Sequence, residues 1–170
     1  IDALGHDYVN GKCTRCDAVK DATFTDVPAG SFFFDSVEWA VDMGITSGVG
    51  DGSIFNPDGK LERAQFVTML WRAAGKPAPT TTVDPFDDVD EDDFYYEAVL
   101  WAVENNITSG TSDNTFSPYE ITNRAQAVTF LWRYLDKPES TATNDFSDVK
   151  AGQWYEAPIN WAVENGVTNG

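Results

Sequence analysis

The feature that most constrains this chain is a repeat inside it. Phe-x-Asp-Val occurs three times, at Phe24 to Val27, Phe86 to Val89 and Phe146 to Val149, with spacings of 62 and 60 residues. Fifteen positions after each Phe a Trp-Ala-Val begins, led by Trp39, Trp101 and Trp161. A period of this length marks supersecondary units that cannot bury an apolar face alone and must share a core with their neighbours.

The order of signals within a copy predicts two helices. Val37, Ala40 and Val41 have the i, i+3, i+4 spacing of one helical face, as do Val99, Ala102, Val103 and Ile159, Ala162, Val163. Gly44, Asn106 and Gly166 then act as stops, because Gly and Asn enter the left-handed region cheaply at a helix C-terminus. Turn-rich loops follow at 47–59 and 109–120, and Phe55 and Phe116, each two residues before a Pro, are expected to pin them to the core. Asp51 and Asp58 lack the alternating acids and distal Glu of an EF-hand, so they read as turn residues. A longer helix is predicted over 61–75 and again over 122–136. Its apolar stripe is Phe66, Val67, Leu70, Trp71 and Ala74 in the first copy and Val128, Leu131, Trp132 and Leu135 in the second. Lys76-Pro77 and Lys137-Pro138 end these helices, with polar linkers beyond.

Composition narrows the function. With 42% hydrophobic and 14% aromatic residues the chain can bury a core. Its net charge of −17 argues against nucleic acid and anionic membranes, and reads first as a solubility device. No apolar run approaches the roughly 20 residues that span a bilayer. The first residues lack the basic and apolar regions of a signal peptide, so any export signal is expected outside this chain. The repeats hold no Ser-His-Asp or Cys-His arrangement, and the acids fall in loops and on solvated helix faces, so the chain reads as non-catalytic.

The ordered motifs FTDV, WAVDMGITSG, DGSIFNP and ERAQ, then FDDV, WAVENNITSG, DNTFSP and NRAQ, resemble the S-layer-homology family over residues 24–170. The resemblance implies an all-α fold of tandem helix-loop-helix repeats around a shared, pseudo-threefold bundle. It divides the chain into an N-terminal segment (1–23), two repeats (24–77 and 86–138) and a partial third (146–170). It also implies a bacterial cell-surface or cell-wall anchor that binds an anionic, often pyruvylated, secondary wall polysaccharide in grooves between prongs.

The family's Thr-Arg-Ala-Glu motif doubles as a capping box, which Asn123 and Gln126 fit and Glu62 and Gln65 fit poorly. Capping does not account for Arg63 and Arg124, which put a cation against the helix dipole; a bound anion shared with free N–H groups would reverse that cost. Arg72 and Arg133, near the helix C-termini and half a turn round, merely suit the dipole. The resemblance adds Ser47-Gly48 and Ser109-Gly110 as groove positions, with Gln65 and Gln126 in the motif; a plain turn explains the Ser-Gly pairs equally well. Phe32, Phe94 and Trp154 could stack on a sugar, although aromatics at such spacing more often belong to a core.

Residues 1–23 share nothing with the repeats. His6, Cys13 and Cys16 are three potential zinc ligands in a hairpin-like stretch, where a fourth would be normal; Ala3 stands where a C-x-x-H pair would carry its Cys, so the set is incomplete unless Asp7 or a residue upstream of this chain serves. A strained Cys13–Cys16 disulfide and two free thiols are the alternatives. The third copy stops at Gly170, before its loop and second helix. That leaves two readings: a fragment of a longer protein, or self-association in which another chain completes the bundle and the chain serves as an assembly module.

Overall fold

The computed structural model describes residues 5–170, so Ala3 lies outside the described residues. Among these the architecture is predominantly α: a two-stranded hairpin, β1 (Tyr8–Val9) and β2 (Lys12–Cys13), and five helices, α1 (Phe34–Asp42), α2 (Arg63–Ala73), α3 (Tyr96–Glu104), α4 (Arg124–Tyr134) and α5 (Glu156–Glu164). The chain divides into two compact units, Ile1–Gly59 and Lys60–Gly170.

In the first unit β1 and β2 pair antiparallel through a turn at Asn10 and Gly11, both at positive φ, as a two-residue hairpin requires. Phe24, Val27, Phe34 and Val37 form a small buried core, with Phe55 packed against it. Asp26 of the first Phe-x-Asp-Val accepts hydrogen bonds from the backbone N–H of Phe55 at 2.8 Å and of Asn56 at 2.7 Å. These bonds, the Phe55 amide first, hold its carboxyl below the usual range.

The second unit shows how the copies are joined. α2 packs against α3, and α4 against α5, so the second helix of one copy lies on the first helix of the next. Its core runs from Ala64, Val67 and Leu70 of α2 through Val99 and Trp101 of α3 to Phe116 and Phe130. Here too the motif's aspartate clamps the loop: Asp88 accepts from the N–H groups of Phe116 and Ser117, both at 2.8 Å.

The expected helix stops are in place. Gly44, Asn106 and Gly166 have φ of 67°, 55° and 67°. The residue after each donates back across six residues, Ile45 N–H to Ala40 O, Ile107 to Ala102 and Val167 to Ala162, all at 2.8 Å, while the stop residue itself donates to Val41, Val103 or Val163. This paired 6→1 and 5→2 pattern satisfies the last free carbonyls.

Several expectations need correction. The second helices are shorter than predicted, because Gly75 and Lys76, and Asp136 and Lys137, are already left-handed. Leu135, just past the end of α4, is exposed, and Val128, Leu131 and Trp132 within it are only half-buried. Phe32, Phe94 and Trp154 are not core residues. Phe32 is 87% exposed, and each of the three stands edge-on to the next aromatic, at 5.0–5.1 Å between ring centroids. The linkers are tied down as well: Trp71 Nε1 donates to Pro77 O and Trp132 Nε1 to Pro138 O, both at 2.9 Å, and Glu104 accepts from the N–H groups of Thr80 and Thr81.

Two stability predictions follow from these details. Asn106→Ala places a Cβ-bearing, non-hydrogen-bonding residue in the left-handed region and is expected to cost about 1 kcal/mol, whereas Asn106→Gly costs nothing or stabilises; urea denaturation measures both. Asp84 keeps one carboxylate oxygen buried without a hydrogen-bond partner, and burial raises its pKa. A raised folded-state pKa means that stability is lost as pH rises through it. Asp84→Asn, whose amide oxygen can still accept from Phe86 N–H, is therefore expected to raise the melting temperature at neutral pH, and by less as the pH falls towards the carboxylate range.

Candidate functional site

A cleft of about 440 Å³ lies in the second unit, bounded by the loop after α3, by Gln126, Thr129, Phe130 and Arg133 of α4, and by Trp154 before α5. Two arginines reach it from different copies, Arg63 on α2 and Arg133 on α4. Thr108, Ser109, Thr111, Gln126 and Thr129 line much of the remainder with Glu120; the Thr108 hydroxyl accepts from Arg63 and the Thr129 hydroxyl donates to Ala125 O.

Arg63 is only 3% exposed. Its Nε donates to Phe116 O at 2.9 Å and its Nη2 to Thr108 Oγ1 at 3.3 Å. Its guanidinium carbon lies 4.9 Å from the Phe116 ring centroid and 5.1 Å from that of Phe130, so the planar cation sits against two aromatic faces. Burial lowers its pKa first; the Glu120 charge opposes that, and the Arg133 charge adds to it. Arginine keeps its charge throughout the physiological pH range, so the group is a cation here.

The anion site expected at the start of α2 is not there. The N–H groups of Arg63 and Ala64 donate to Glu120 O at 2.9 Å and Pro118 O at 3.0 Å, so carbonyls of the following copy cap this helix. Gln65 Oε1 accepts from Glu62 N–H at 3.1 Å, and Glu62 completes the reciprocal box although glutamate is a poor N-cap residue. The guanidinium is turned inward, away from the helix end.

Arg133 donates from Nη1 to Ile107 O at 3.2 Å, and burial lowers its pKa. The sequence assigned it to the helix dipole because it lies half a turn from Arg124 on the same helix. That angular argument holds within one helix, but the cleft forms where two copies meet, and there α2 supplies one arginine and α4 the other. A signal was present in the sequence, since Arg72 and Arg133 repeat as faithfully as Arg63 and Arg124.

Of the sequence-selected residues, Arg63, Ser109, Gly110, Gln126 and Trp154 come together in this cleft. Arg124 does not line it; exposed, it donates to Thr168 Oγ1 at 3.0 Å, repeating the Arg63–Thr108 contact one copy on. Gln65 serves the α2 cap. Ser47 and Gly48 lie in the first unit, in the loop after α1. Gly48 and Gly110 have φ of 81° and 84°, and a Cβ there would come within 2.6 Å of Phe24 or Phe86 and equally close to a loop carbonyl. Loop closure alone therefore demands both glycines. A second cleft in the same unit, about 660 Å³, is lined by Trp71, Phe94 and Tyr96 with Glu91, Asp93 and Glu97, and it has no cation in its wall.

On the N-terminal hairpin, the side-chain ligand atoms of His6, Cys13 and Cys16 all lie within 4.8 Å of one another. The Cys13 thiol is lowered to about 6, chiefly by hydrogen bonds from backbone N–H groups near Arg15 and Asp7.

Comparison with known proteins agrees with the repeat. The family model described as S-layer homology domain matches residues 23–67, 85–128 and 145–170. The chain is 30% identical over 137 residues to the "Surface-layer 125 kDa protein" of Lysinibacillus sphaericus, covering 80% of this chain and 11% of that protein. It is 28% identical over 157 residues to the "S-layer protein sap" of Bacillus anthracis, covering 90% of this chain and 19% of that protein. An "Amylopullulanase" of Thermoanaerobacterium thermosulfurigenes is 28% identical over 85 residues, half of this chain and 4% of the enzyme. The chain thus spans less than a fifth of the length of these relatives.

Removing the buried guanidinium should be costly whatever the cleft binds. Arg63→Ala strands Phe116 O and is expected to destabilise by about 2–4 kcal/mol in chemical denaturation. Arg63→Lys should recover only part of this, since an ammonium lacks the planar fork that serves Phe116 O and Thr108 while lying on two rings.

Proposed function

The chain belongs to the S-layer homology domain family, and we propose that it anchors a larger protein to the bacterial cell wall by binding an anionic wall polysaccharide in the Arg63–Arg133 cleft. The observation that carries this reading is the meeting of two arginines, Ser109, Thr111, Gln126 and an indole in one cleft of a chain whose net charge is −17. Carboxylates are abundant here and cations scarce, so two arginines at one place are a costly arrangement that an anionic ligand would offset. Hydroxyls and the Gln126 amide suit the hydroxyls of a sugar. Trp154, 55% exposed, offers a ring face of the kind on which sugar rings stack.

The relatives support the same reading. A segment that occurs in S-layer proteins and also, as a few percent of the length, in a polysaccharide-degrading enzyme serves what such proteins have in common, which is residence at the cell surface. We place the chain there, as a module without catalysis of its own. No described helix is long and apolar enough to cross a membrane.

Arg63, Arg133, Ser109, Gly110, Gln126 and Trp154 are the residues we assign to the ligand, with a carboxylate such as a pyruvyl ketal held between the two guanidinium groups. The acidic cleft beside Phe94 would repel such a group. Arg63 already uses two donors on the protein, so Arg133 is the better residue to probe.

Isothermal titration with purified wall polysaccharide tests this. Arg133→Ala is expected to weaken binding at least about ten-fold, the loss of one charge-assisted contact. Trp154→Ala should weaken it as well, and polysaccharide stripped of its acidic groups should bind neither form. Arg124→Ala, with the same residue type on the same helix outside the cleft, is the matched control. Wild-type affinity in both Arg133→Ala and Trp154→Ala would refute the site.

A further inference from the structure

The repeats account for residues 24–170, but not for the hairpin that precedes them. Its two strands are extended by a bridge from Lys12 to Val19, and Cys13 N–H donates to Ala18 O at 3.0 Å. The chain from Cys13 to Ala18 is thereby closed into a tight loop that carries both cysteines. Thr14 N–H donates to Asp7 O at 2.8 Å, which folds the segment bearing His6 back onto that loop. Arg15 strengthens the fold-back through a bond from Nη2 to Gly5 O at 2.6 Å. Two backbone hydrogen bonds and one from the Arg15 side chain therefore converge on one imidazole and two thiols.

We propose that His6, Cys13 and Cys16 form a zinc site, with Zn²⁺ held by His6 Nδ1 and both cysteine sulfurs and its fourth position filled by water or another ligand. Cys16 Sγ lies 3.4 Å from His6 Nδ1. A tetrahedral zinc with Zn–S of about 2.3 Å and Zn–N of about 2.05 Å sets its sulfur and nitrogen ligands roughly 3.6 Å apart, so this edge of the site is already at bonding separation. The remaining ligand distances, all within 4.8 Å, need only small side-chain rotations to close on one ion. Arg15 N–H points at Cys13 Sγ at 3.4 Å, the kind of backbone contact that stabilises a metal-bound thiolate.

Zinc binds both sulfurs as thiolates, and any proton a thiol still carries is released to solvent. The resulting site, Zn²⁺ with two thiolates and a neutral imidazole, carries no net charge. The soft sulfur pair also separates this site from the 28 carboxylates, which prefer hard cations. The place of the chain at the cell surface adds a reason for a metal: two neighbouring free thiols do not persist in an oxidising milieu, and they must be bridged or coordinated. Within the first unit the hairpin is seated through its turn. Asn10 N–H donates to Asp35 Oδ2 at 2.7 Å, Gly30 N–H donates to Asn10 O at 2.6 Å, and a Cβ on Gly11 would strike the Phe34 ring. A metal clip at the open end of the hairpin would stiffen the piece that seats this turn on α1.

The test uses the whole chain, reduced, freed of metal and titrated anaerobically with Co²⁺ as a spectroscopic stand-in for Zn²⁺. One Co²⁺ per chain should bind, with thiolate-to-cobalt charge-transfer absorption in the near ultraviolet, and one equivalent of Zn²⁺ should displace it. Cys13→Ser and Cys16→Ser should each abolish that absorption, and His6→Ala should weaken Co²⁺ binding at least about ten-fold. Circular dichroism of each variant reports whether the helices persist, and the unsubstituted chain decides the question by itself. Absence of charge-transfer absorption with both thiols titrating as reduced overturns the proposal. So does a Cys13–Cys16 disulfide that forms in air as fast with equimolar Zn²⁺ present as without it.

Discussion

A guanidinium buried between two aromatic rings holds the second unit together. Arg63 starts α2, yet its side chain reaches Phe116 O and Thr108 Oγ1 in the following copy, and the Phe116 and Phe130 rings flank its plane. The Phe116 peptide is thereby fixed from both sides, its carbonyl by Arg63 and its N–H by Asp88. Thr108 is fixed with it and in turn accepts from Gly110 N–H at 3.2 Å, which sets the course of the loop forming one wall of the cleft. A buried cation is expensive to desolvate, and it persists here because its hydrogen bonds and its two rings are supplied together. The same residue thus makes the joint between copies and one edge of the cleft.

The aspartates of Phe-x-Asp-Val are the anionic counterpart. Asp26 and Asp88 each take two backbone N–H groups from a loop some thirty residues on, so the chain spends carboxylates where a loop would otherwise need a helix or a ladder to satisfy its amides. Phe24 and Phe86, two residues earlier, pack beside the loop phenylalanines and against the glycine that no other residue could replace. Motif and loop close on each other, which is why the two recur at a fixed offset along the chain.

What the sequence made legible follows from this. Helix faces, left-handed stops, the role of Phe116 and the reciprocal cap of Asn123 with Gln126 could be read because each depends on residues close in sequence or on periodicity. The exposure of Phe32, Phe94 and Trp154 could not, because helical spacing says which residues share a face and not whether a neighbour covers it. The cleft was half visible. Arg63, Ser109, Gly110, Gln126 and Trp154 were selected copy by copy, but their meeting with Arg133 depends on α2 lying beside the following copy, a contact between residues 45 to 70 positions apart. For the same reason the N–H groups at the start of α2 looked free: their acceptors, Pro118 and Glu120, belong to the next repeat.

The net charge of −17 opposes an anionic ligand at long range, but that field is screened over about 8–10 Å at physiological salt. Within the cleft two partly desolvated arginines act at contact distance, where screening is weak and the lower effective dielectric strengthens their pull. Salt therefore has two opposing effects on association: it weakens the attraction at the cleft mouth and relieves the repulsion from the rest of the surface. On the proposed reading, recognition would depend on short-range geometry more than on electrostatic steering. The second cleft is the larger of the two, yet Glu91, Asp93 and Glu97 stand in its wall, and at contact range the sign of the nearest charges would disfavour an anion there.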